Sequence, residues 1–182
     1  CLDDDGNGFT DLDDPACCAA SSPATLKRGR FAAAKKGSGT KLQVTGTVPG
    51  TRLVGTGPLP DIVVQIGRAG DVPLLCARIP SASQTVKKTR LRFRDKSHAV
   101  SSALGIDLLK LVDSKKGTAK LSFKGKGVRM SPPAAGALRV SLALGEPANR
   151  CVVASGSYRA ARKGIRFLPM VYPYLIKQAP DT

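Results

Sequence analysis

The chain has 182 residues, a formal net charge of +16 and no tryptophan, and only 4% of its residues are aromatic. This length allows one sizeable core, since a domain of this size buries roughly 70% of its unfolded surface. No run approaches the roughly 18–20 apolar residues of a membrane-spanning helix, and the scarcity of aromatic residues argues against a base-stacking platform. All 29 lysines and arginines lie from Lys27 onward, whereas six of the 13 acidic residues precede Pro15. The chain therefore has an acidic head and a basic body that attracts polyanions.

The first predicted element is a calcium loop at residues 3–14. Oxygen-bearing side chains alternate around Gly8, which supplies the sharp turn that such a loop needs. Calcium takes roughly six to eight oxygen ligands, and alternate side chains of a tightly wound loop can point to one centre. Asp14 stands where these loops usually carry the longer Glu, which predicts weak or water-completed binding. The predicted Ca²⁺ ligands, including the Phe9 carbonyl, are Asp3, Asp5, Asn7, Phe9, Asp11 and Asp14.

This loop resembles the calcium loops of dockerins and of thrombospondin type 3 repeats. It is also similar to Cys-flanked Asp/Asn/Gly segments of secreted bacterial proteins that end in Asp-Pro-x-Cys, as Asp14-Pro15-Ala16-Cys17 does here. The resemblance covers residues 1–18 and implies a calcium-ordered extracellular segment without implying an activity. No second loop follows, so a paired cohesin-binding face is not predicted.

The five cysteines indicate an oxidising compartment, and hence a protein that is secreted or held at the cell surface. A bridge from Cys1 to Cys17 or Cys18 would close the calcium loop. Cys76 and Cys151 are the second predicted pair, because they occupy similar places in the repeat described below; the alternative is that they are two independent buried thiols. In the alternative hypothesis Cys1 carries a lipid anchor, and an even four cysteines remain. An opening on Cys1 is typical of a mature chain whose targeting segment has been removed.

The body is predicted to contain two copies of one β unit, at 26–84 and 85–167, after a polar linker at 19–25. Residues 35–48 resemble residues 115–128. Each copy then continues through a loop rich in proline or glycine to an alternating apolar stretch, and from there to a cysteine-bearing segment. Three elements that recur in the same order favour a tandem duplication over chance similarity.

The predicted fold is all-β, an antiparallel β-sandwich or flattened barrel of roughly nine to eleven strands. The apolar segments are short, alternate with a period of two and are separated by Gly, Pro, Ser or Asn, which is typical of antiparallel strands. Residues 101–112 also allow a helix through their leucines. The predicted strands are 26–34, 41–48, 62–67, 74–79, 85–94, 106–112, 119–128, 137–144, 150–155 and 157–167.

One predicted strand, 85–94, has a strongly basic face, with Leu91 and Phe93 on the opposite face. Cations two residues apart recur about every 6.6 Å along a strand, near the phosphate spacing of an extended polynucleotide. Binding through such a face would be non-specific and salt-sensitive. In the alternative, the charges only keep an exposed face soluble and resistant to edge pairing. The predicted polyanion-binding residues are Lys88, Arg90, Arg92 and Arg94, with Lys124 and Lys126 if the second repeat lies beside them.

No catalytic constellation is identifiable, and the protein is predicted not to be an enzyme. His98 is the only histidine. It follows Ser97 in a predicted turn, and neighbouring residues of an extended chain point to opposite faces, so the two do not make a nucleophile and base by themselves.

The tail, 168–182, is the most apolar and aromatic stretch, and its prolines forbid a regular helix. It is predicted either to pack on its own domain as a last strand or to add to the sheet of a neighbouring subunit. The residues predicted to make subunit contacts are Phe167, Val171, Tyr172, Tyr174 and Ile176.

The function predicted first is that of a non-enzymatic, secreted, calcium-binding structural protein. It would self-associate into an extracellular filament or surface layer by terminal strand exchange, because head-to-tail contacts that do not close produce filaments. The alternative is a secreted binder of anionic polymers, such as extracellular DNA or acidic polysaccharide, through a basic β surface.

Overall fold

The computed structural model of the chain describes residues 21–34, 39–50, 52–54, 59–68, 73–144, 150–162 and 164–168. These residues form twelve strands and two short 3-10 turns, Ser81–Ser83 and Ser101–Ala103, so the all-β prediction is confirmed. The strands are β1 Ser21–Pro23, β2 Thr25–Ala33, β3 Thr40–Val48, β4 Ile62–Gly67, β5 Leu75–Ile79, β6 Gln84–Lys87, β7 Arg90–Arg94, β8 Leu108–Asp113, β9 Ala119–Val128, β10 Gly136–Leu144, β11 Arg150–Ala161 and β12 Gly164–Leu168.

One sheet contains all twelve strands, in the order β5-β4-β10-β11-β12-β2-β3-β9-β8-β7-β6, with β1 beside β11. The pairs along this path are antiparallel, whereas β1 runs parallel to β11. The two end strands, β5 and β6, are joined by one short turn, so the sheet curls into a nearly closed barrel. The Gln84 side chain spans this closure: its Nε2 donates to the carbonyls of Pro60 and Ile79, at 3.0 Å each.

The core fills the inside of the barrel. Along β3 every second residue is buried, the pattern of a strand with one face toward a core. The same alternation places Phe31, Phe93 and Phe123 inside, each no more than 2% exposed. A carboxylate tethers the chain between β3 and β4 to this body, because Asp113 accepts hydrogen bonds from the backbone N–H groups of Leu53 and Val54 at 2.8 and 2.9 Å.

The two predicted repeats share one sheet. β3 pairs with its counterpart β9, and β4 pairs with its counterpart β10. Val44 lies opposite Phe123 in the first pair, and Gln65 lies opposite Ser141 in the second. Antiparallel pairing of matching strands about a central residue pair is the arrangement that a local twofold axis produces. The tandem duplication itself stays a prediction.

The prediction of a single strand at 85–94 is wrong. This segment forms a hairpin of β6 and β7, and Lys88 lies in the connecting turn with a φ of 55°. The turn has none of the Gly, Pro, Asn or Asp residues that normally mark one. Lys88 therefore does not share a strand face with the arginines of β7.

Three other predicted boundaries also change. Ser21–Pro23, within the predicted linker, forms β1. The strands predicted at 150–155 and 157–167 are divided differently, because β11 continues to Ala161 and β12 begins at Gly164. The helical alternative for 101–112 is wrong, because Leu104 and Gly105 have φ values of 49° and 88°. Positive φ ends a right-handed helix, and β8 follows instead.

Candidate polyanion-binding face

A concavity of about 870 Å³ lies on the outside of β3, β9, β8 and β7, and we call it the basic groove. It is lined by seven cationic side chains and by a single carboxylate, Asp107. Leu108, also at the wall, is half-buried. The seven cations are Lys41, Arg92, Arg94, Lys96, Lys110, Lys124 and Lys126.

The register of the sheet brings these cations together from distant parts of the chain. Arg92 of β7 lies directly opposite Lys110 of β8. Arg94 and Lys124 lie in one row with Leu108 between them. Like charges directly opposite each other on a sheet are destabilising. The groove therefore concentrates positive charge at some expense to the stability of the sheet, and a bound anion would relieve this repulsion.

The described residues provide no ion pair to the seven cations of the groove. The one carboxylate in the lining, Asp107, is bound by His98 Nε2 at 2.5 Å from its Oδ1. Arg92 Nε is buried and has no hydrogen-bond partner among the described residues. A buried N–H without a partner carries a desolvation penalty.

A loop organised by Asp95 forms one rim of the groove. The Asp95 carboxylate accepts hydrogen bonds from the backbone N–H groups of Ala99 and Val100, at 3.1 and 2.8 Å, and from the Ser97 hydroxyl at 3.0 Å. These bonds, that from Val100 first, hold the pKa of Asp95 below its usual value of 3.8. Within this loop His98 has a φ of 57°, which costs roughly 1 kcal/mol for a residue with a Cβ. The loop thus fixes the position of His98 against Asp107.

Arginines extend the positive surface from the groove around the barrel. In the row of Lys124, Gln43 of β3 lies opposite Arg30 of β2. Arg30 lies opposite Arg166 of β12, and Arg166 lies opposite Arg159 of β11. From β7 to β11 this row crosses six inter-strand spacings, or about 29 Å at roughly 4.8 Å each. We call it the arginine row.

The structure brings four of the six predicted polyanion-binding residues into the groove: Arg92, Arg94, Lys124 and Lys126. Arg90 points outward on β7 but does not line the concavity, and Lys88 lies in the hairpin turn. Sequence reasoning missed four basic lining residues: Lys41, Lys96, His98 and Lys110. The sequence signal for Lys110 was its place between the apolar residues Leu109 and Leu111, which puts it on the outer face of a strand.

The absence of catalytic function stays a prediction. Among the described residues, the Ser97 hydroxyl bonds to Asp95, while His98 bonds to Asp107, so serine and histidine are engaged separately. The described ranges hold no cluster of three His, Cys, Asp or Glu side chains that could bind a metal ion.

Other predicted site residues fall outside the described part of the chain. These are the calcium ligands Asp3, Asp5, Asn7, Phe9, Asp11 and Asp14, the cysteines Cys1 and Cys17, and the tail residues Val171, Tyr172, Tyr174 and Ile176. Phe167 is described, and its ring packs against Tyr158 of its own chain with centroids 5.6 Å apart.

Cys76 and Cys151 lie on β5 and β11, with β4 and β10 between them. The twofold relation does not place them at matching positions. Cys76 lies opposite Gln65, and Val153 lies opposite Ser141, the counterpart of Gln65. Cys76 therefore corresponds to Val153, two residues from Cys151, and the register does not favour the predicted Cys76–Cys151 bridge.

In the part of the chain that the structure describes, no helix has the length and apolar character needed to cross a membrane. No protein-family model, curated protein or solved structure matches this chain.

Proposed function

We propose that this protein is a non-enzymatic binder of anionic polymers, and that the basic groove is its binding site. The observation that carries the proposal is the set of seven lysines and arginines around one concavity, without a carboxylate partner among the described residues. Cations spread evenly over the barrel would make the protein equally soluble. Here they converge on one concave surface.

Binding in this groove would work mainly through phosphate, sulfate or carboxylate groups of the polymer. Lysine ammonium groups act as point charges, whereas an arginine can hold an oxyanion with two parallel N–H donors. Each contact releases condensed counterions from the polymer, and this release makes affinity depend steeply on salt. The lining contains no Phe, Tyr or Trp for base stacking. We therefore expect the groove to bind extracellular nucleic acid and acidic polysaccharide alike.

The test is a charge reversal at the centre of the groove. Arg92→Glu with Lys110→Glu replaces two opposed cations by two carboxylates, and should lower affinity for heparin and for single-stranded DNA at least 100-fold at about 0.1 M salt. This estimate assumes at least about 1.4 kcal/mol per reversed contact, or tenfold each. Fluorescence anisotropy with labelled polymers would measure it.

The matched control is Lys116→Glu with Lys115→Glu, in the turn between β8 and β9 at the strand ends away from the groove. It changes the net charge by the same amount and should lower affinity less than fivefold. Equal losses in the two variants would show that the polymer responds to the overall charge of the barrel and would refute the groove as the site.

The calcium-dependent filament predicted first depends on residues 1–18 and on the tail, of which only Leu168 lies in the described ranges. It remains a hypothesis with no contact in the described residues to support it. Size-exclusion chromatography with and without a chelator separates the two functions. A protein that stays monomeric at every concentration but shifts on addition of polyanion is a binder, not a filament subunit.

A further inference from the structure

The outer face of β5, β4, β10 and β11, which we call the covered face, is buried although it points away from the barrel core. Its outward residues Gln65, Ser141, Ala143 and Cys151 are only 2–3% exposed. Ala143 and Cys151 form a cluster with Val63 that is separate from the main core. On the opposite face of the barrel, formed by β3 and β9, outward residues are half-exposed or exposed. One face of the barrel is thus open and basic, and the other is covered and uncharged at its centre.

Two cysteines flank the covered face. Cys76 points outward from β5, opposite Gln65, and Cys151 points outward from β11, opposite Ala143. Three inter-strand spacings of about 4.8 Å and a shift of two residues place their Cα atoms roughly 16 Å apart. Two cysteines whose Cα atoms are more than about 7 Å apart cannot be bridged without movement of the backbone. Cys76 and Cys151 each make an interaction. Their separation excludes a disulfide between the two, so each would need a different cysteine as its partner.

The chain before β1 begins at the edge of this face. β1 pairs with β11 so that Ser21 lies opposite Cys151. Cys17 and Cys18 precede Ser21 by only a few residues. Adjacent Cα atoms are 3.8 Å apart, and each disulfide spans up to about 6.8 Å between Cα atoms, so two neighbouring cysteines can connect positions up to about 17 Å apart. This reach is sufficient for the separation of Cys76 and Cys151.

We propose that residues 1–20 lie across the covered face, and that Cys17 and Cys18 form disulfides with Cys76 and Cys151, one with each. Each disulfide forms one S–S bond from two thiols, whose two electrons and two protons pass to a protein or small-molecule disulfide and reduce it to two thiols. Four of the five cysteines are then paired, and Cys1 is left over. This pairing replaces both bridges predicted from the sequence.

This arrangement fastens the acidic head to the side of the barrel away from the basic groove. The inference is independent of the proposed function, because it concerns neither the groove nor its ligand.

Peptide mapping without reduction tests the proposal on the intact protein made in an oxidising compartment. Free thiols are alkylated, the chain is digested with trypsin and the products are analysed by mass spectrometry. The expected product is one species of three peptides, residues 1–27, 69–78 and 151–159, which separates into three on reduction. Cys1→Ser should leave this species intact, whereas Cys17→Ser and Cys18→Ser should each release one of the two body peptides.

Every other map of these cysteines overturns the proposal. A two-peptide species of 69–78 with 151–159 would show a direct Cys76–Cys151 bridge. Alkylation of Cys76 or Cys151 before reduction would show a free thiol on the covered face. Loss of the three-peptide species in Cys1→Ser would show that Cys1, and not the Cys17–Cys18 pair, makes one of the links.

Discussion

Tyr158 of β11 is a buried residue with an unsatisfied polar group. Its side chain is 3% exposed and packs against Phe31 and Phe167, and its hydroxyl has no hydrogen-bond partner among the described residues. Gly29 makes room for it, because a Cβ there would lie 2.4 Å from the hydroxyl oxygen. Burial raises the pKa of Tyr158 to about 12. The barrel therefore keeps a neutral phenol at this position and gains nothing from its hydroxyl.

Tyr158→Phe should stabilise the fold. Removing a buried hydroxyl without a partner should raise the free energy of unfolding by about 1 kcal/mol, because its desolvation is not compensated. In the wild type the unfolded state loses the phenolic proton near pH 10, while the folded state keeps it up to about 12. The stability of the wild type should therefore fall more steeply than that of the variant between these pH values. Urea unfolding at pH 7, 10 and 11 would measure both effects, and a less stable variant at pH 7 would contradict the first.

At the scale of elements, the loop of residues 95–100 shows how one carboxylate shapes part of a site. Asp95 is 7% exposed and binds two backbone N–H groups that would otherwise lack a partner in the loop. The loop carries Lys96 and His98 to the rim of the groove. The hydrogen bonds of Asp95 therefore stabilise the loop and also fix the shape of the groove rim.

Asp95→Asn should lower both stability and affinity. The neutral amide is a weaker acceptor, and its NH₂ group faces an N–H donor, so we expect a loss of about 2 kcal/mol. The pKa of Asp95 is lowered in the fold, so its stabilisation is present at neutral pH and is lost as pH falls below 3.8 through the folded pKa. The difference between wild type and variant should accordingly be constant from pH 7 to about 5 and shrink as the pH falls below 3.8. Urea unfolding across this range, with anisotropy at pH 7, would test the prediction, and a difference that is constant with pH would contradict it.

The sequence predicted the elements better than their arrangement. Alternation along β3, β4, β9 and β10 identified these strands and their buried faces, since burial of one face imposes a period of two. The β6–β7 hairpin was missed because its turn has no sequence signature. The groove was found only in part, because the β3–β9 register joins residues about 80 positions apart, and no local pattern specifies such a pairing.

At the scale of the whole molecule, charge separation is the dominant feature. The formal net charge is +16, and the groove and the arginine row occupy the sheet from β7 through β11. A polymer that follows both would contact a strip about 29 Å long. Most of its contacts would be electrostatic.

Affinity for single-stranded DNA should therefore fall steeply with salt. If the seven groove cations each neutralise one phosphate, a slope of roughly −0.7 per phosphate gives about −5 for log K against log salt concentration. Arg92→Glu with Lys110→Glu should reduce the magnitude of the slope by about 1.5, whereas the Lys115 and Lys116 control should leave it nearly unchanged. Anisotropy titrations between about 0.05 and 0.3 M salt would measure it, and a slope near zero would contradict an electrostatic groove.

Calcium binding by the acidic head is a separate prediction. The loop of residues 3–14 should bind one Ca²⁺ weakly, with a dissociation constant of about 10⁻⁴ M, in the range of extracellular modules. Calorimetry should show this binding abolished in Asp5→Ala, a predicted ligand. Asp13→Ala, which removes the same charge at a position that is not a predicted ligand, should retain it. If titration of the wild type with Ca²⁺ shows no binding, the prediction of a calcium loop is wrong.

The pairing of β3 with β9 and of β4 with β10 has a consequence for how such a chain could arise. A single β unit on its own would leave the edges of β3 and β4 unpaired, and each could pair in antiparallel fashion with the same edge of an identical molecule. Two such molecules would close one another into a homodimeric barrel. Gene fusion of that dimer would give the present pairing of β3 with β9 and of β4 with β10, in which each half contributes one strand to each of the two walls.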